Sequence, residues 1–116
     1  MPQNLVVLVR QNGLGAVQPS DLGFAHQMFD KFLHAVETLP EKPQAICFYT
    51  EGVKLVCRGS PVLAALKLIE AMGVRLAVCA TCLEYYGLRE QAAAGEVVGM
   101  NEILRLLATA GKVISV

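Results

Sequence analysis

The sequence predicts an α/β domain, a three-layer α/β/α arrangement with a mainly parallel sheet of about five strands. Short apolar runs alternate along the chain with stretches of helical periodicity, and short loops join them. This alternation is typical of parallel βαβ units with right-handed crossovers. Residues 1–116 are predicted to form a single domain, because no linker, internal repeat or low-complexity tract divides them.

The first part of the chain predicts a strand, a helix and a second strand. Leu5–Val9 is a β-branched run that ends at the turn signal of residues 11–13. Ser20 is a candidate N-cap for the first helix, which Pro40 ends. Ala45–Tyr49 is then a second buried strand. The apolar positions that recur at helical spacing are Leu22, Ala25, Met28, Phe29, Phe32, Val36 and Leu39.

A turn at Glu51–Lys54 and a short apolar piece, Leu55–Cys57, lead to the second helix. Ser60 and Pro61 are a strong helix start, because a capping hydroxyl precedes a proline at the first helical position. Gly73 suits the left-handed position just past the helix end. The positions expected to face inward are Val62, Leu63, Leu66, Ile69 and Met72.

Three more strands and one more helix are predicted in the last third. Val74–Val78 is the third strand, Glu96–Val98 is a brief fourth, and Lys112–Val116 closes the sheet. Asn101 is a candidate cap for a last helix that runs through Ala110. Because the strands are expected to be parallel, the loops after the first three should emerge at one edge of the sheet.

Charge and hydropathy exclude several classes of function. Ten basic and ten acidic residues cancel, which argues against a nucleic-acid partner. No apolar run approaches the roughly 18 residues of a membrane span, and the start does not read as a signal peptide. Reduced cysteines and a cytoplasmic location are therefore expected. The apolar share of 54% is high, and it predicts buried parallel strands together with a homo-oligomer.

The segment Cys79-Ala80-Thr81-Cys82 carries the strongest chemical signal, because two thiols lie where a strand gives way to a turn. A helix that begins there offers backbone N–H groups, which favour thiolate over thiol. The candidate catalytic residues are Cys79 and Cys82. An ammonium such as that of Lys54 would stabilise a thiolate or a persulfide anion. The residues expected to line the pocket at this edge are Gly13, Gly15, Gly52, Lys54, Thr81 and Tyr85.

Other interpretations of the cysteine pair stay open on the residues alone. Free cysteines are often small core hydrophobes, and the C-x-x-C spacing also suits a thioredoxin-like dithiol. Structural zinc needs four ligands, but the chain has no second C-x-x-C, and His26 and His34 are expected on the solvated face of the first helix. The Gly13–Gly15 loop lacks the third glycine of a dinucleotide fingerprint. No metal and no cofactor are expected.

The whole chain resembles the DsrE/DsrF-like superfamily, and in particular the DsrE-like domain of YedF-type sulfurtransferase-like proteins. The resemblance implies a parallel five-stranded α/β/α fold, a homo-oligomer (trimer or hexamer) and sulfur relay through a cysteine persulfide. The active cysteine of sulfur-relay relatives precedes a glycine by eight residues, as Cys79 precedes Gly87 here. Cys82 belongs to the YedF-like subset. The segments that carry the resemblance are Glu51–Leu55, Gly59–Leu63, Cys79–Leu88 and residues 97–114.

Three departures accompany the resemblance. Ala80 stands where members usually have glycine, the first loop lacks the acidic pattern common after the first strand, and the sequence holds no separate N-terminal sulfur-carrier domain. The leading interpretation is a cytoplasmic, sulfurtransferase-like relay protein in which Cys79 accepts sulfur from a donor protein and passes it to an acceptor. The alternatives are a non-catalytic oligomeric binding module and a Cys79/Cys82 dithiol–disulfide redox switch.

Overall fold

A computed structural model describes residues 4–116, so the first three residues of the predicted domain lie outside the described part. The strands are β1 (Leu5–Val9), β2 (Ala45–Phe48), β3 (Arg75–Cys79), β4 (Glu96–Val98) and β5 (Lys112–Ser115). The helices are α1 (Leu22–Glu37), α2 (Leu63–Ala71), α3 (Ala80–Tyr85) and α4 (Met100–Thr109). Three 3-10 turns span Pro19–Asp21, Thr50–Val56 and Arg89–Gln91.

The five strands form one sheet in the order β4-β3-β2-β1-β5, and every neighbouring pair is parallel. The predicted α/β/α fold with a parallel five-stranded sheet is confirmed. Each step from β1 through β4 moves the chain in one direction, so right-handed crossovers place α1, α2 and α3 on one face of the sheet. The connection from β4 back to β5 runs the opposite way, which places α4 on the other face.

The core explains why the central strands were predictable. β1, β2 and β3 are buried along almost their whole length, because parallel strands covered on both faces need continuous apolar runs. Buried side chains of the three longer helices complete the core, among them Phe29, Leu33, Leu66, Ile69, Ile103 and Leu106. Of the helices within residues 4–116, none is long and apolar enough to cross a membrane.

An ion-pair network fastens α4 to the sheet at the end opposite the carboxyl edge. The Arg75 side chain donates to carboxylate oxygens of Glu96 and Glu102. Arg105 donates to both oxygens of Glu102 at 2.7 Å, one turn along α4. Hydrogen bonds from Arg105 and Arg75 lower the pKa of Glu102 to about 2. The polar stripe of α4 therefore has a defined partner on β3.

The helix starts differ from the predictions. α1 begins at Leu22 after the 3-10 turn Pro19–Asp21, so Ser20 lies inside that turn instead of capping the helix. Asn101 is the second residue of α4, which Gly99 precedes in an extended conformation, so the Asn101 cap was also wrong. Neither helix start has a side-chain cap: a 3-10 turn leads into α1, and the extended Gly99 leads into α4. Ser60 does accept a hydrogen bond from the Val62 N–H at 3.3 Å, although α2 begins only at Leu63.

Smaller corrections concern element ends. Met72 was expected to face inward but is 41% exposed, because α2 ends at Ala71 and Met72 lies just beyond it. Gly73 has the predicted left-handed backbone, with φ of 96°. The piece Leu55–Cys57 is largely the end of the 3-10 turn Thr50–Val56 rather than extended chain. β3 runs one residue further than predicted and ends at Cys79, which brings this cysteine into the strand.

Candidate two-cysteine site

Cys79 and Cys82 lie at the carboxyl edge of the sheet but at different depths. Cys79 is the last residue of β3 and is 1% exposed. Helix α3 begins at the next residue, and Cys82 lies on its first turn, half-buried. Leu83 is fully buried and fixes α3 against the core. The short helix therefore turns Cys82 toward the surface while Cys79 stays beneath it.

The loop after β2 supplies a hydrogen bond to the outer cysteine. The backbone N–H of Thr50 donates to Cys82 Sγ, with 3.0 Å between nitrogen and sulfur. This contact joins segments 32 residues apart and confirms that the loops after β2 and β3 meet at one edge. The sequence placed the anion-stabilising N–H groups at the start of α3, but the donor that the structure shows at Cys82 belongs to Thr50.

A pocket of about 280 Å³ opens on Cys82. Besides Cys82, its wall is formed by two threonines, Thr50 and Thr81, and two tyrosines, Tyr85 and Tyr86. The rings of Tyr85 and Tyr86 meet edge to face, with 5.2 Å between their centroids. Tyr85 is 84% exposed, so it presents a large aromatic surface at the mouth of the pocket. Cys82 thus lines a surface pocket with an exposed aromatic rim.

Electrostatics around Cys82 combine opposing effects. Burial raises the pKa of the Cys82 thiol, the Thr50 N–H lowers it, and the adjacent Cys79 side chain raises it. Lys54 was expected to stabilise an anion here, and its ammonium lies 4.4 Å from the centroid of the Tyr86 ring. The same ammonium lies 3.6 Å from Glu51 Oε1, so its charge is already shared with a carboxylate. The nearest donor to the sulfur is a backbone amide, not the lysine.

The remaining cysteines have a different environment. All four cysteines are free thiols. Burial raises the pKa of Cys47, in the middle of β2, to about 11. Cys57 is buried, its Sγ donates to the Val53 carbonyl at 3.3 Å, and burial raises its pKa as well. Neither is suited to thiolate chemistry at neutral pH.

The glycines expected in the pocket lie elsewhere. Gly13 is buried against α1, where an added Cβ would lie 2.7 Å from the Cβ of Ala25. Gly52 is buried against the end of β1. Gly15 lines a second, more polar pocket of about 270 Å³ together with Gln11, Asn12, Ala16, Val17, Leu22 and Glu51. Of the predicted pocket residues, Thr81 and Tyr85 line the pocket together with Cys82. Lys54 adjoins the pocket indirectly, because its ammonium packs on the ring of Tyr86, which also lines it.

Thr50 is the site residue that the sequence analysis missed. Its position directly after a buried strand, at the edge where ligands bind, was the available signal. The backbone conformation of Thr50 could not be predicted from the sequence, because threonine rarely adopts a positive φ.

The two histidines lie on α1, away from the cysteines. His34 pairs with Asp30 at 3.4 Å and Glu37 at 2.8 Å, and it is exposed. His26 Nε2 lies 3.1 Å from Asn12 Oδ1, a partner in the first loop rather than Asp30. Within residues 4–116, no cluster of three or more His, Cys, Asp or Glu side chains is arranged to hold a metal ion.

Known families and folds match this chain. A family model described as the DsrE/DsrF-like family matches residues 24–116. MTH1491 from Methanobacterium thermoautotrophicum, a protein of unknown function, has a similar structure, with a TM-score of 0.70, 17% identity, and coverage of 99% of this chain and 100% of that one. The ychN protein from E. coli is similar too, with a TM-score of 0.68, 18% identity and coverage of 99% and 100%.

A third structure, BT1422 from Bacteroides thetaiotaomicron, a conserved protein of unknown function, has a TM-score of 0.59 at 16% identity and covers 97% of this chain and 95% of that one. At these identities the likeness shows a shared fold. Among proteins with curated descriptions, none matches the sequence.

Proposed function

Because this chain belongs to the DsrE/DsrF-like family, we propose that it is a sulfur-relay protein that carries sulfane sulfur as a cysteine persulfide and passes it to a partner protein. One observation carries the proposal: a pocket with an aromatic rim opens on the Cys82 thiol, with Cys79 directly beneath. The cytoplasm, where thiols stay reduced, is the compartment that suits this chemistry.

The different depths of the two cysteines give each a role. Cys82 lines the pocket, so its thiolate attacks the outer sulfur of a donor persulfide, and the donor leaves as a thiolate. Cys79, which the family resemblance identifies as the relay residue, then attacks the outer sulfur of the Cys82 persulfide. Its proton moves to Cys82, which is regenerated as a thiol. Sulfur stored on Cys79 is shielded from water and thiols, and the reverse steps deliver it to an acceptor.

The test of this relay is intact-protein mass spectrometry after incubation with glutathione persulfide, followed by peptide mapping of quenched samples. We expect a reductant-sensitive gain of one sulfur, first on Cys82 and then on Cys79. Cys82→Ser should lose at least ~90% of the loading rate, because the pocket-facing nucleophile is absent. Cys79→Ser should stop with sulfur on Cys82. Cys57→Ser, which alters a buried thiol outside the pocket, is the matched control and should load like the unmodified chain.

Three outcomes would contradict the relay. Loading of Cys79 in the Cys82→Ser variant at the unmodified rate would show that sulfur enters without the pocket-facing thiol. Loss of two hydrogens without added sulfur, with Cys79 joined to Cys82, would identify a redox switch instead. If the chain neither gains sulfur nor loses two hydrogens, the result would favour a binding module that keeps the fold without the chemistry.

We also propose that a second copy of the chain covers α4. Met100 and Leu104 lie one turn apart on this helix, and Leu104 is 61% exposed. Apolar patches of this kind favour self-association, and the zero net charge of the chain does not oppose it.

Light scattering coupled to size exclusion tests this assembly. The chain should elute as an oligomer at micromolar concentration, and Leu104→Lys should reduce its mass toward that of a monomer. Leu68→Lys places the same charge at an exposed leucine of α2, on the other face of the sheet, and should leave the oligomer intact. A monomeric mass for the unmodified chain would refute the proposal.

A further inference from the structure

Thr50 adopts a backbone conformation that its side chain disfavours. Its φ is 52°, and it is the one non-glycine residue with a positive φ among residues 4–116. A β-branched side chain in the left-handed region is a steric outlier, because Cβ approaches the carbonyl oxygen too closely. Such conformations persist where neighbouring structure fixes them, and they are frequent at functional sites.

The neighbours that fix Thr50 can be identified. Tyr49 donates its N–H to the Val9 carbonyl at 3.1 Å, which holds the end of β2 to β1. The Gly52 N–H then donates to the Tyr49 carbonyl at 3.0 Å. Gly52 is packed so tightly that an added Cβ would lie 2.3 Å from Val9 O. Val53 and Leu55 are fully buried one and three residues later. The backbone on both sides of Thr50 is therefore fixed by β1 and the core.

The consequence of this geometry is the direction of one amide. The Thr50 N–H points at Cys82 Sγ at 3.0 Å, in the wall of the pocket. We propose that Thr50 is a positioning residue: its left-handed backbone lets the turn Thr50–Val56 fold back against β1 while its N–H stays directed at Cys82, and this N–H stabilises the anionic form of that sulfur. A hydrogen bond from an N–H to an anionic acceptor is roughly twice as strong as one to a neutral acceptor, so the Thr50 N–H favours the thiolate form of Cys82.

The positioning role of Thr50 depends on the proposed function at one point, the sulfur-transfer step that the Cys82 anion performs. The surroundings make this donor important. Burial disfavours a charged Cys82, the Cys79 side chain disfavours it further, and the Lys54 ammonium is shared with Glu51. The Thr50 amide opposes the first two effects. It acts on whichever anion Cys82 carries, thiolate or persulfide.

The experiment removes the hydrogen-bond donor at Thr50. Threonine at position 50 is replaced by its α-hydroxy acid analogue, which converts the amide into an ester and keeps the side chain. The pH dependence of Cys82 alkylation by iodoacetamide is then followed by peptide mapping. The matched control is the corresponding ester at Leu14, which breaks a backbone hydrogen bond of the same length, to the Ala25 carbonyl, outside the contacts that fix Thr50.

We expect the ester at Thr50 to raise the midpoint of Cys82 alkylation by about one pH unit, which is about tenfold less thiolate at any pH below the midpoint. The Leu14 ester should leave the midpoint unchanged. Thr50→Gly keeps the amide, relieves the steric conflict and should also keep the midpoint. A shift in Thr50→Gly equal to that of the ester would assign the effect to the side chain and overturn the proposal.

Equal midpoints for the Thr50 ester, the Leu14 ester and the unmodified chain would also overturn it. Because alkylation needs no sulfur donor, this result is independent of persulfide formation. A chain that shows the expected shift but never gains sulfur would keep the positioning role of Thr50 and lose the relay. A chain that gains sulfur but shows no shift would keep the relay and lose the positioning role of Thr50.

Discussion

Replacing Gly52 by alanine should destabilise the fold on the order of 3 kcal/mol, since forcing extra volume into a packed site typically costs 1–3 kcal/mol and occasionally more. An added Cβ would lie 2.3 Å from Val9 O and 2.9 Å from Val9 C. Both are backbone atoms of β1, which cannot turn aside as a flexible side chain would. The 3-10 turn Thr50–Val56 must therefore move away from the sheet.

That movement should also reach the cysteine site. Thr50 lies two residues before Gly52, and its N–H is held toward Cys82 by the same turn. We therefore expect Gly52→Ala to raise the midpoint pH of Cys82 alkylation as well as to lower the urea midpoint of unfolding. Both are measured on the same protein preparation.

Gly23→Ala is the matched control for this substitution. Gly23 lies in α1, has no unusual φ, and an added Cβ would find no heavy atom within 4 Å. Alanine there should stabilise the fold by about 0.5–1 kcal/mol, because glycine in a helix carries an entropic cost. A Gly52→Ala protein as stable as the unmodified chain would show that the turn is not held against β1 as described.

The sequence was sufficient for the parts of the fold that depend on burial. β1 was predicted at its observed bounds and β2 to within one residue, because strands covered on both faces require apolar residues at every position. Glu96–Val98 was also predicted as observed, although its position at the edge of the sheet gives a weaker signal. The placement of the cysteine pair at the carboxyl edge followed from the parallel topology alone.

Features that depend on backbone geometry could not be predicted. Ser20 and Asn101 have the residue types of N-caps, but a 3-10 turn precedes α1 and the extended Gly99 precedes α4. Gly52 was read as a small residue exposing backbone to a pocket, whereas its lack of a side chain permits close contact with Val9. Such a contact involves residues distant along the chain, and no local pattern records it.

The relative depth of the two cysteines was likewise beyond the sequence. The resemblance favoured Cys79, but a shift of one residue in the end of β3 places Cys79 in the sheet and Cys82 at the pocket. The interpretation of the pair as a relay with an outer and an inner thiol therefore comes from the structure. In the proposed function, the family resemblance suggests sulfur chemistry, and the different depths of the two cysteines suggest the order.

Leu83→Ala should cost about 2–5 kcal/mol, the usual range for removing a fully buried leucine side chain. Leu83 is the one buried residue of α3, a helix of six residues that makes its main packing contact through this side chain. A helix this short is not stable on its own, so its position depends on tertiary packing. The substitution should loosen α3 and increase the alkylation rate of Cys79, which is otherwise shielded.

Urea unfolding and peptide-mapped alkylation measure the two effects together. Leu68→Ala removes the same side chain from a 47% exposed position on α2 and should change stability by no more than about 0.5 kcal/mol. If Leu83→Ala lowered stability without exposing Cys79, the packing of α3 would not be what covers the inner thiol. If Cys79 became reactive, a persulfide formed there in the proposed relay should also become accessible to external thiols. Shielding by α3 would then be the property that separates a sulfur carrier from an ordinary surface persulfide.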